Sequence, residues 1–142
     1  MTDKMICEKA DGIGWMVFNN PERHNAVSYD MWVRGIDIMA DLVADEEVRV
    51  IVIKGAGEKS FVSGADISKF DDERAAEDAV KRYNDATEGA YQAVLNSPKP
   101  TIAMIQGYCI GGGANLAVCC DMRIASERAK FAIPAAKLAL GY

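Results

Sequence analysis

The chain is poor in the residues that build metal centres and disulfide frameworks. It has one histidine, His24, and four cysteines, Cys7, Cys109, Cys119 and Cys120, with no C-x-x-C pair among them. Neither a zinc site nor a disulfide scaffold is expected, and no metal enters the reading. Long apolar runs are also missing, and Met1-Thr2-Asp3-Lys4-Met5 leads into a strand-like segment without the apolar core of a secretory signal. A cytoplasmic protein without membrane contact is the expectation. Positive charge is in deficit: the net charge is −5, and the lysines and arginines are scattered rather than striped. Nucleic acid is therefore not an expected partner.

What the chain does have is ordinary for one folded unit: 142 residues, 50% hydrophobic and 26% charged, without repeats or an internal linker. Met5 to Lys9 and Ile13 to Phe18, separated by Asp11-Gly12, predict a β-hairpin. Ser28 is placed to cap a helix whose apolar stripe runs through Met31, Trp32, Ile36, Met39, Leu42 and Val43. Val48 to Ile53 is rich in β-branched residues and predicts a buried strand that ends at Gly55-Ala56-Gly57. From Glu73 to Leu95 the positions Ala76, Val80, Tyr83, Thr87, Ala90, Tyr91 and Val94 keep a helical period, with Asp71, Asp72 and Glu73 at the positive end. Ser97-Pro98-Lys99-Pro100 stops that helix, and Thr101 to Ile105 predicts a strand. Gly107 and Gly111-Gly112-Gly113 lead into a helix over about Ala114 to Cys120, and Met122 to Ala125 is a further strand. The alternation predicts an α/β core with mostly parallel pairing after the hairpin.

Two segments are suited to chemistry. Phe61-Val62-Ser63-Gly64-Ala65-Asp66-Ile67 follows a strand and a glycine loop, and Gln106-Gly107-Tyr108-Cys109-Ile110-Gly111-Gly112-Gly113-Ala114-Asn115-Leu116 spans a strand-to-helix junction. Small residues let the backbone approach a ligand, and a helix start offers unpaired N–H groups with partial positive charge. Together the segments could form an oxyanion hole; the alternative for the glycine run is tight packing of a helix on a sheet. A dinucleotide fingerprint fails because its third glycine would fall at Leu116, and Lys59-Ser60 lacks the glycines of a Walker loop.

In this order the two segments resemble the crotonase superfamily, the enoyl-CoA hydratase/isomerase family. The resemblance extends to Asn20-Pro21-Glu22-Arg23-His24-Asn25-Ala26-Val27, Val50-Ile51-Val52-Ile53-Lys54-Gly55, Pro98-Lys99-Pro100-Thr101-Ile102-Ala103 and Cys120-Asp121-Met122-Arg123-Ile124-Ala125, and so covers essentially the whole chain. It implies the N-terminal part of a spiral of ββα units, one acyl-CoA-binding core over 1–142 without the C-terminal helical part that covers the acyl pocket. It also implies a homotrimer or homohexamer and an acyl-CoA thioester substrate, with no cofactor beyond the CoA of that substrate. The thioester oxygen would sit between the main-chain amides of Ala65 and Gly112. Asn25, Ala26, Ser63, Ala65, Asp66, Ile67, Gly111 and Gly112 would line the CoA.

The chain departs from the family pattern at both acid–base positions. Hydratases of the family carry one glutamate two residues after the glycine run and another after the proline of F-x-x-P-E, where this chain has Asn115 and Ala135. An amide does not titrate and a methyl group relays no proton. Asn115 could hydrogen-bond water or a substrate carboxylate, or simply satisfy local backbone. Tyr142 falls where decarboxylases of the superfamily carry a tyrosine, although a packing role suits it as well. Asp66 reads as a loop-fixing residue, His24 as part of a solvated loop, and the cysteines near the glycine run as small buried residues. The resemblance leaves open a CoA-thioester enzyme using other partners, a decarboxylase or carbon–carbon hydrolase, and a CoA-binding subunit without turnover.

Overall fold

The computed structural model describes residues 2–66, 77–135 and 137. Strands β1 (Met5–Ala10) and β2 (Ile13–Phe18) form the expected antiparallel hairpin. The turn holds Asp11 and Gly12 at φ of 55° and 82°, the left-handed pair that matches a hairpin's twist. Helix α1 (Tyr29–Ala44) begins at Ser28, whose hydroxyl accepts the Met31 amide at 3.4 Å. It buries Met31, Trp32, Gly35, Ile38, Met39 and Leu42. The predicted stripe is thus rotated slightly, because Ile38 takes a core place while Ile36 and Val43 are only partly buried beside it.

Beyond α1 the chain repeats one pattern. Strand β3 (Val50–Gly55) joins the hairpin's sheet and β4 (Ser60–Val62) starts a second sheet, after which helix α2 (Glu77–Leu95) crosses back. β5 (Thr101–Ile105), β6 (Tyr108–Ile110) and helix α3 (Gly112–Cys119) make the next turn, and β7 (Met122–Ala125) with β8 (Lys130–Ala132) continues it. The sheets have the orders β1-β2-β3-β5-β7 and β4-β6-β8, and every pairing after the hairpin is parallel. This is a ββα spiral in which each turn adds one strand to each sheet.

β3 starts two residues later than the alternation suggested and runs through Gly55, while α3 begins two residues earlier, at Gly112. β4, β6 and β8, which together make the second sheet, are each three residues long. Such strands are too short to show a period. Of the long helix, Val80 is exposed and Ala86 is buried in its place, and the acidic Asp71-Asp72-Glu73 lies outside the described residues.

Several residues of the resembling segments close helix ends. The Lys99 ammonium donates to the carbonyls of Leu42 and Asp45 at 2.7 and 2.6 Å, satisfying the C-terminus of α1. Arg123 does the same for α3 through Ala117 and Cys120, at 3.2 and 2.8 Å. Asp121 accepts the Thr101 amide at 2.9 Å and ties β5 to the start of β7. The core lies between the hairpin's sheet and the helices, with Phe18, Trp32, Ile38, Ile51, Ile53, Phe61 and Leu116 essentially inaccessible.

Candidate functional site

The two segments singled out in the sequence leave the same edge of the second sheet. β4 and β6 are parallel neighbours, with Val62 opposite Cys109, so the residues that follow each strand emerge side by side. The contact between them is close. A Cβ on Gly113 would collide with the Val62 carbonyl oxygen, which explains glycine at that position on steric grounds. The helix-packing role of the glycine run and its closeness to the other segment are one fact.

Ala65 is held by a parallel bridge to Val27: the Val27 amide donates to Gly64 O at 2.9 Å, and the Asp66 amide donates to Val27 O at 3.0 Å. Those bonds use the groups on either side of Ala65 and leave its own amide out of the ladder. Gly112 is the first residue of α3, where an N–H has no intrahelical acceptor. Its N-cap, Gly111, offers no side-chain hydrogen bond, and Gly111 itself donates to Ala132 O at 2.8 Å. Among the described residues neither the Ala65 nor the Gly112 amide has an acceptor. Ala65 is exposed, while Gly111 and Gly112 are partly buried.

The element around Asn25 and Ala26 is fixed by two buried asparagines. Asn25, 1% exposed and in the left-handed region at φ 57°, donates through Nδ2 to Ala56 O at 3.0 Å and Ser60 O at 2.9 Å. Its Oδ1 accepts the Asn20 amide at 2.9 Å. Asn20 in turn donates to Ala26 O at 2.9 Å and to the Asp66 carboxylate at 3.4 Å. Asp66, 5% exposed, is therefore part of the scaffold under the Ala65 loop. Asn20 stands in the sequence only as the first residue of the stretch that resembles the family, and its buried role comes from its packing against Asn25, Ala26 and Asp66.

Ser63 is partly buried and donates to Arg23 O at 3.4 Å. His24 is exposed on its loop, yet its ring meets Tyr108 edge-on at 5.7 Å and lies 3.4 Å from the Ser60 hydroxyl. It borders an open cleft of about 340 Å³ between the Pro21–Asn25 and Ala56–Ser60 segments. Asn115 sits in the first turn of α3, partly buried, and Ala135 is in the turn after β8. Ile67 and Tyr142 lie outside the described residues.

The cysteines are not set up as nucleophiles. Burial pushes the Cys109 thiol up to about 11 and the Cys120 thiol to about 12, and raises Cys119 as well. Among the described residues no group of three or more His, Cys, Asp or Glu is placed to hold a metal ion, and no helix is long and apolar enough to cross a membrane.

Two sheets, parallel beyond the first hairpin and wound together by ββα turns, with two main-chain segments meeting where β4 and β6 end, define an α/β spiral of the crotonase type. The chain belongs to the enoyl-CoA hydratase/isomerase family, whose profile matches residues 8–141. It is 33% identical over 132 residues to a crotonyl-CoA hydratase of Syntrophomonas wolfei, covering 93% of this chain and 50% of that protein. It is 34% identical over 134 residues to carboxymethylproline synthase of Pectobacterium carotovorum, covering 94% and 53%. Among solved structures, an enoyl-CoA hydratase/isomerase family protein described as putative, from Hyphomonas neptunium, superposes with a TM-score of 0.92 at 41% identity, over 98% of this chain and 53% of that one. The chain spans about half the length of the curated relatives it matches.

Proposed function

We propose that this protein binds an acyl-CoA thioester and polarises its carbonyl between the main-chain amides of Ala65 and Gly112. The observation that carries the reading is the parallel pairing of β4 with β6, which delivers two amides unused by sheet or helix to one edge. Two such donors favour an oxygen that gains negative charge as the thioester becomes enolate-like. In other enzymes, loss of one comparable donor costs about 2.7–4 kcal/mol of transition-state stabilisation. The cleft beside Asn25 is open to solvent and adjoins the same loop system, which supports placing the nucleotide end of CoA there.

The reaction built on this grip differs from hydration by paired carboxylates. Asn115 and Ala135 stand where the resemblance puts the two glutamates, and neither transfers a proton. Enolate stabilisation with a proton donor elsewhere, as in decarboxylation or carbon–carbon cleavage, fits these residues better. The similarity to a carboxymethylproline synthase, a protein named for a synthesis rather than a hydration, supports a scaffold that hosts more than one outcome.

The test is a mixed panel of enoyl-, β-keto- and malonyl-type CoA thioesters incubated with the protein and read by liquid chromatography and mass spectrometry. Loss of carbon dioxide or release of a shortened acyl-CoA is the expected result. Gain of water would restore the hydratase reading despite Asn115 and Ala135. Unchanged thioesters together with measurable CoA binding would make this a binding subunit without turnover.

A further inference from the structure

Three aromatic side chains outside the two donor segments tie those segments together. Trp32, on α1, is 2% exposed and meets the Phe18 and Tyr91 rings edge-on at 5.9 and 5.6 Å. Its indole N–H donates to the Tyr83 hydroxyl at 3.1 Å, and the Tyr83 hydroxyl donates onward to Val27 O at 3.0 Å. Val27 O is also the acceptor of the Asp66 amide. The phenol therefore bears on the carbonyl that holds the Ala65 loop in place.

The second donor is reached from the same three residues. Tyr91, about two turns after Tyr83 on α2, donates its hydroxyl to Gly112 O at 3.4 Å. A Cβ on Gly112 would stand 3.1 Å from that hydroxyl and 3.7 Å from Trp32 Cζ2. Trp32 thus has one tyrosine on each side: Tyr91 touches the Gly112 segment directly, and Tyr83 reaches the Ala65 segment through Val27 O. A purely space-filling role would not require Tyr83 both to accept from Trp32 and to donate to Val27, since each bond in such a chain orients the next.

We infer that Trp32, Tyr83 and Tyr91 are positioning residues that set the separation and aim of the Ala65 and Gly112 amides. This inference rests on the oxyanion-hole reading above. Removing a phenolic hydroxyl leaves the parallel bridge and the α3 backbone intact, so the chain keeps its fold while one amide loses a restraint. The consequence falls on carbonyl polarisation rather than on ligand affinity, because a donor that drifts from the line of the oxygen weakens steeply.

The probe is butyryl-CoA carrying ¹³C at its thioester carbonyl, bound at saturation to the intact polypeptide and followed by difference infrared spectroscopy. The wild-type protein is expected to lower the carbonyl stretching frequency relative to the free thioester. Tyr83→Phe and Tyr91→Phe are expected to bind the probe with unchanged affinity and wild-type circular dichroism, while each loses about half of that downshift. The full downshift in both folded variants overturns the positioning role and leaves the oxyanion-hole reading standing. Absence of a downshift in the wild-type protein removes both. If Tyr83→Phe unfolds, Tyr91→Phe decides alone, because its hydroxyl donates to Gly112 O.

Discussion

Val27 and Ala65 are paired across a single parallel bridge, and the bridge spends both main-chain groups of Val27 while leaving the amide of Ala65 unused. Asp66 and Gly64 supply the partner atoms, at 3.0 and 2.9 Å. A loop that would otherwise wander is thereby pinned with one N–H facing outward.

The Gly112 amide is removable without breaking α3, since proline suits the first position of a helix. Gly112→Pro is expected to keep the fold and lower turnover of the substrate found in the thioester panel by about 10²–10³-fold. Gly112→Ala, which keeps the N–H and adds the same Cβ beside Tyr91, is the control. Steady-state kinetics on the pair check this, and equal activities in the two variants would contradict the donor role.

Gly113 is predicted to be the least replaceable glycine of its run. Gly113→Ala forces a Cβ into the Val62 carbonyl and is expected to cost about 3 kcal/mol by urea denaturation. Gly57→Ala, at φ +75° with open space around it, should cost only about 1–2 kcal/mol from its left-handed backbone.

Asn25→Ala deletes two donors to Ala56 O and Ser60 O and places a β-carbon without side-chain compensation at φ 57°. A loss of about 2–3 kcal/mol is expected, read from thermal or chemical denaturation. A surface substitution such as Glu8→Ala is the neutral reference.

Restoring carboxylates tests whether their absence sets the reaction. Asn115→Glu combined with Ala135→Glu is expected to raise water addition to a short enoyl-CoA by about 10²–10⁴-fold over the parent chain. Loss of absorbance by the conjugated enoyl thioester measures it. No gain in a folded double variant would mean that these positions do not face the acyl double bond.

Buried thiols give the stability a defined alkaline limb. The folded-state values of Cys109 and Cys120 lie at about 11 and about 12, above the ordinary 9.0 of the unfolded chain. Below about pH 9 both states hold the proton and the contribution is complete. Between 9.0 and 11 the unfolded chain releases protons that the folded one keeps, so stability falls as pH rises. Melting temperatures across that range should fall less steeply in Cys109→Ala/Cys120→Ala than in the wild-type protein.

The hairpin, the Ser28 cap and the two segments that form the candidate site were all readable from residue type and spacing. The second sheet was not, because β4, β6 and β8 are three residues each and their register comes from stacking successive turns. The loop-fixing reading of Asp66 has a physical counterpart in its hydrogen bond from Asn20, a partner that no pattern in the sequence pointed to. The Trp32–Tyr83–Tyr91 bracket stayed hidden for a different reason. Each member fits an apolar helical stripe, and only the packing of α1 against α2 brings the polar tips together. Ile38 escaped notice likewise, since a shift of the buried face by one position is within the tolerance of a helical period.

The amides of Ala65 and Gly112 belong to the main chain, and that has a genetic consequence. Every amino acid except proline supplies the same N–H, so most missense changes at these codons leave the donor itself in place and act only through bulk or backbone strain. At Gly112 a proline codon lies more than one base change from any glycine codon. On the proposed reading, the chemistry around the ends of β4 and β6 is therefore free to drift through neighbours such as Asn115 while the amide pair persists, and a lineage could exchange one reaction for another without rebuilding its grip on the carbonyl.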